Sequence, residues 1–128
     1  MNGTYATRIL AGALLCLSVA CNSPYSEEDI QGRWTGVYIE ENGLPLTGVD
    51  PAELSFSFTE KGYQYEGNLN YREAGSYTLE PPYLYTTDTL NQATTEKTVE
   101  IIQLSTDSLH LRMMENGAER VLKLYREE

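Results

Sequence analysis

The chain has 128 residues, nineteen of them acidic and nine basic, for a net charge of −10 with its one histidine neutral. That length allows one domain, and such an excess of acid repels nucleic acid and anionic headgroups, which excludes a nucleic-acid or membrane-surface reader. It leaves open a basic protein partner, or a surface that is acidic only for solubility.

Residues 1–20 form the first unit. One basic residue, Arg8, precedes an apolar run from Ile9 to Ala20 that only Gly12 and Ser18 interrupt. A short basic start, an apolar stretch and a small residue at the cut describe a secretory signal peptide. The run falls short of the roughly 20 apolar residues of a membrane-spanning helix. Leu17-Ser18-Val19-Ala20-Cys21 resembles a bacterial lipobox, although Ser18 stands where Leu is usual. The resemblance implies lipidation of Cys21 after cleavage behind Ala20, and hence a chain held on the bacterial envelope, at the outer membrane's periplasmic side or the cell surface. Cys16 would leave with the leader, so the mature domain would have no disulfide and would rest on its core alone. Loss of Arg8 would take the net charge from −10 to −11.

Residues 21–31 follow, with Ser23-Pro24 and the run Glu27-Glu28-Asp29. Low apolar content predicts an acidic flexible tether. The acidic run also resembles the surface-export signals of Bacteroidetes lipoproteins.

From Gly32 to the end the pattern has period two, which marks strands with one buried face. It is plainest in Leu54-Ser55-Phe56-Ser57-Phe58, in Tyr63 to Tyr71 and in Leu109-His110-Leu111. Turn residues recur at Asn42-Gly43, Lys61-Gly62, Glu73-Ala74-Gly75, Pro81-Pro82, Asp107-Ser108 and Asn116-Gly117. Strands are expected near 33–40, 53–59, 63–71, 75–80, 83–88, 97–104, 108–115 and 119–126. The apolar pairs Val99/Ile101 and Ile102/Leu104 fall on opposite faces, which predicts a bulge or a strand packed on both sides. In the last strand Leu122/Leu124 and Val121/Tyr125 compete for the core. Eight short meandering strands make residues 32–128 an all-β domain: a single antiparallel up-and-down barrel, with a small β-sandwich as the alternative.

Gly32-Arg33-Trp34 resembles the G-x-W motif of lipocalins, and Phe58…Gly62-Tyr63…Gly75-Ser76-Tyr77-Thr78-Leu79…Leu84 is similar to the small lipocalin-like domains of Bacteroidetes lipoproteins. The family's T-D-Y motif and usual disulfide are absent. The resemblance implies that Trp34 closes one end of the barrel beneath Arg126, and that the protein holds a small hydrophobic or amphipathic ligand.

Tyrosine, with an apolar body and a polar tip, suits a cavity for such a molecule. Tyr38, Phe56, Tyr65, Tyr77 and Tyr85 are the candidate lining residues; aromatic residues filling a small barrel are the structural alternative. Catalysis finds no support. His110, between Leu109 and Leu111, should face solvent, and no second His or mature Cys joins it as a metal ligand. There is no Gly-x-Ser-x-Gly or phosphate-binding loop, and adjacent acids such as Glu40/Glu41 point to opposite faces of a strand. The sequence thus implies neither cofactor nor enzyme. Its two functional expectations are a small-ligand binding module and a protein-interaction lipoprotein, an inhibitor or accessory subunit for a basic partner.

Overall fold

Period-two alternation, interrupted by turns, produces strands that each pair with the next. The computed structural model describes residues 25–92 and 95–128. Residues 1–20 and Cys21 lie outside the described residues. The strands are β1 (Gly32–Glu41), β2 (Leu44–Pro45), β3 (Ser55–Phe58), β4 (Tyr63–Glu66), β5 (Arg72–Glu80), β6 (Tyr83–Asp88), β7 (Glu96–Leu104), β8 (Ser108–Glu115) and β9 (Ala118–Arg126). β2 is a two-residue ribbon folded back on the end of β1. The other eight run in order around a barrel, and β9 returns to β1 from Trp34 opposite Arg126 to Glu41 opposite Arg120. All pairings are antiparallel, so this is an eight-stranded closed barrel rather than a sandwich, and closure leaves no long edge unpaired.

Register follows the hydrophobic pattern. Trp34, Phe56 and Tyr65 lie opposite one another across β1, β3 and β4, as Ile101, Leu111 and Leu122 do across β7, β8 and β9. These inward side chains, with Phe58, Leu84, Leu109 and Leu124, form the core. A bulge on β7 between Ile101 and Gln103 puts Ile102 outside and returns Leu104 to the inner face. On β9 the competition goes to Leu122 and Leu124, while Tyr125 is exposed.

Three sequence expectations fail locally. The strand expected over 63–71 stops at Glu66, because Gly67 to Tyr71 form a turn in which the Gly67 N–H donates to the Tyr71 carbonyl at 2.8 Å. Leu69 and Asn70 both have left-handed backbone there, with φ of 58° and 62°. Glu73-Ala74-Gly75, expected to turn, instead lies within β5, where Gly75 lets the strand approach the Thr87 carbonyl more closely than a Cβ would allow. The third failure is in the tether. Glu27–Ile30 form a short helix, α1, whose Asp29 carboxylate accepts from the Ser26 N–H at 2.8 Å. Ile30 is fully buried in the core, so burial of one apolar side chain docks this segment.

Hairpin alternation gives the barrel two unlike ends. The turns at 59–62, 81–82 and 105–107 share one end with α1. The connections that begin at 42, 67, 89 and 116 leave from the other.

Candidate functional site

At the α1 end the barrel is shut. Trp34 is fully buried and its indole N–H donates to the Ile30 carbonyl at 2.8 Å. The Arg126 guanidinium lies 4.2 Å from the indole ring and donates to the carbonyls of Thr106 (2.7 Å), Asp29 (2.7 Å) and Gln31. Gly32 explains the first position of the motif: its φ is +125°, and a Cβ would meet Arg126 Nη1 at 2.6 Å. Trp34 and Arg126 are therefore brought together.

At the opposite end the inner face turns polar. Glu73 lies opposite Tyr65 across β4 and β5, and its residue is only 8% exposed. Its carboxylate accepts from the Tyr63 hydroxyl (3.0 Å), the Tyr71 hydroxyl (2.6 Å) and Lys97 Nζ (2.8 Å). Burial pushes the Glu73 pKa up, but hydrogen bonds from Lys97, Tyr71 and Tyr63, with the Lys97 charge, outweigh it and hold the group below its ordinary range. Beside this cluster Arg120 donates to Glu115 at 2.7 Å and pairs with Glu41 at 3.5 Å, while its Nε is buried without a partner. Tyr65 lies between the two groups. Burial, then the charges of Glu115 and Glu73, push its hydroxyl up to about 12 against the pull of Arg120. Phe56 packs on Tyr65 at 4.6 Å, and Tyr65 meets Tyr71 edge-on at 6.2 Å.

Three of the five expected lining residues face inward. Tyr65 belongs to the polar end, opposite Glu73, and Phe56 lies between it and Phe58. Tyr77 is committed to the closed one, with its ring 5.2 Å from Phe58 and its hydroxyl bonded to the Thr59 carbonyl at 2.8 Å. Tyr38 and Tyr85 face outward and line nothing inside. A bulge between Gly36 and Tyr38 shifts the phase of β1, so Ile39 takes the inner position and Tyr38 lies under Lys123 at 5.1 Å. Tyr85 pairs with Thr78 and Thr98 on the outer face and neighbours Tyr83. Sequence reasoning missed Glu73, Lys97, Tyr71 and Arg120. A signal existed for Glu73, which shares the parity of Gly75, Tyr77 and Leu79, but placing a turn at 73–75 removed it from the strand.

Two open clefts lie on the outside of the wall. One, of about 510 Å³, runs between Thr35, Ser55, Glu66 and Leu69; the other, of about 390 Å³, lies over Ser57, Gln64 and Ala74. Among the described residues no group of three or more His, Cys, Asp or Glu side chains is arranged to hold a metal ion.

A closed eight-stranded antiparallel barrel with one end shut by a tryptophan beneath an arginine is a lipocalin-like fold. The chain is similar in structure to a lipocalin-like protein from Bacteroides uniformis ATCC 8492, with a TM-score of 0.56 and 16% identity over 78% of this chain and 99% of that one. It is also similar to an uncharacterized protein from Bacteroides eggerthii DSM 20697, with a TM-score of 0.52 and 14% identity over 76% of this chain and 98% of that one. No family model matches the sequence, and no curated protein matches it. Likeness at such low identity speaks for the fold alone.

Proposed function

We propose that this is a non-enzymatic, lipid-anchored binding protein of the bacterial envelope that holds a small amphipathic molecule at the polar end of its barrel. The observation that carries this reading is the change along the inner face. Close-packed apolar side chains fill the α1 end, whereas aromatic rings, hydroxyls and ion pairs line the other. An apolar wall with a few convergent polar groups is what a small-ligand site needs. The anchor rests on Ala20-Cys21. Chain entry through α1, beside Trp34, would turn the polar end away from the membrane that holds Cys21. The first test is a native mass spectrum of residues 21–128 carrying Cys21→Ser, purified gently from envelope extract. Extra mass that persists natively and vanishes on denaturation is the expected result; a bare mass after incubation with a lipid panel would count against it. Labelling of the full chain with radioactive palmitate, abolished by Cys21→Ser, tests the anchor separately.

One observation favours a second reading, a protein-interaction lipoprotein with a basic partner. The larger outer cleft gathers Glu53, Glu66 and Glu127 around a single guanidinium, Arg33, beside the exposed Leu69. A pull-down at low salt that recovers a partner released by raising the salt would support it.

A further inference from the structure

We infer that the small molecule is an amphipathic amine, whose ammonium group takes the place of Lys97 Nζ on the Glu73 carboxylate at the barrel mouth. The inference rests on the small-ligand reading above and names the chemistry of the head group.

The carboxylate is built in. Glu73 is buried, and Tyr63, itself 2% exposed, holds one of its oxygens from the core side. The two groups that cover it from the mouth are of a different kind. The Lys97 side chain is 53% exposed and stands at the start of β7, and Tyr71 is 45% exposed and ends a turn. Either can swing into water without opening the core. Exchanging one ammonium for another also leaves Glu73 compensated, so the usual penalty for stripping a buried carboxylate of its cation does not arise.

Local charge favours the same class. Four inward carboxylates, from Glu41, Glu73, Asp88 and Glu115, face two inward cations, Lys97 and Arg120, and Arg120 is already held by Glu41 and Glu115. An anionic head group would meet this excess unfavourably. Because the far half of the barrel is filled, the apolar chain of the ligand lies across the rim, where Leu44 and Leu90 are exposed on connections at the same end.

The experiment titrates residues 21–128 carrying Cys21→Ser with octylamine, octanol and octanoate, followed by calorimetry below their aggregation limits. In Lys97→Met, where no internal ammonium competes, octylamine should bind at least about tenfold more tightly than the other two, the worth of one hydrogen bond to a charged group. Adding Glu73→Gln should remove that preference, while Lys97→Met alone should bind octylamine more tightly than the parent protein does, its competitor being gone. Equal binding of all three probes to Lys97→Met, or octylamine binding that Lys97→Met weakens, overturns the amine assignment and leaves the small-ligand reading standing. No binding of any probe to either the parent protein or Lys97→Met overturns both. Should Glu73→Gln fail to fold by circular dichroism, Lys97→Met, which keeps the carboxylate, still decides between these outcomes.

Discussion

Arg126 stacks on Trp34 at 4.2 Å while its guanidinium bridges the carbonyls of Asp29, Gln31 and Thr106. One side chain from the last strand thus ties together the segment before β1, β1 itself and the turn between β7 and β8. A planar fork with five donors can do this while lying flat on an indole; a lysine ammonium, a point charge, cannot.

Trp34→Ala should destabilise the domain by about 3–5 kcal/mol in urea denaturation, the usual cost of truncating a fully buried aromatic side chain. Arg126→Lys should cost about 2 kcal/mol, since it keeps the charge but loses most of the carbonyl bridges and the stacking. A loss below about 1 kcal/mol for Trp34→Ala would show that the indole does not shut the barrel.

Glu73 makes the domain sensitive to acid. Its folded pKa lies below the ordinary 4.5, because hydrogen bonds from Lys97, Tyr71 and Tyr63 overcome its burial. Above pH 4.5 both the folded and unfolded forms are ionised and the contribution is complete. As the pH falls through the folded value the unfolded chain holds more protons, and stability declines. Glu73→Gln should therefore cost about 1–3 kcal/mol at neutral pH, with Tyr63 losing a charged acceptor. Below pH 4.5 its stability curve should fall less steeply than that of the parent. Parallel curves would mean that the carboxylate carries no linkage.

Leu69 offers a gain instead. It is 92% exposed and sits in left-handed backbone with φ of 58°, a conformation that costs Leu more than Asn. Leu69→Asn should raise stability by about 0.5–1 kcal/mol, read as a higher urea midpoint with an unchanged slope. A fall in stability would indicate a contact for Leu69 that its exposure conceals.

Barrel class was legible because alternation with period two survives in nearly every strand, and the Trp34–Arg126 pairing because the G-x-W spacing carries it. Local phase was not. The bulge on β1 inverts Tyr38, since nothing in Thr35-Gly36-Val37-Tyr38 announces an extra residue. The turn at 67–71 was hidden because Tyr63 to Tyr71 keep perfect alternation through it. The polar mouth was hidden for a further reason: Glu73, Lys97 and Arg120 are charged residues on the inner face, where the rule that charge points to water misassigns them. Only pairing makes the burial of Glu73 tolerable, and pairing across 24 residues between Glu73 and Lys97 has no local signature.

Alkali should expose the same cluster from the other side. Tyr65 is pushed up to about 12, first by burial and then by Glu115 and Glu73. Burial, then the Glu73 carboxylate, raises Tyr63 further; for Tyr71 the hydrogen bond to Glu73 comes first. In the unfolded chain the same phenols ionise near 10. Each folded pKa is raised, so their contribution is complete below pH 10 and is lost as the pH climbs through the folded values. Tyrosinate absorbance and far-ultraviolet circular dichroism, followed in one titration above pH 10, should show part of the ionisation appearing together with loss of the β signal. Tyr65→Phe, which removes one ionising phenol but keeps the ring on Phe56, should move that joint transition to higher pH. If all the tyrosinate forms before the barrel signal changes, the mouth is open to hydroxide and the hydroxyls of Tyr63, Tyr65 and Tyr71 are not held in the folded protein.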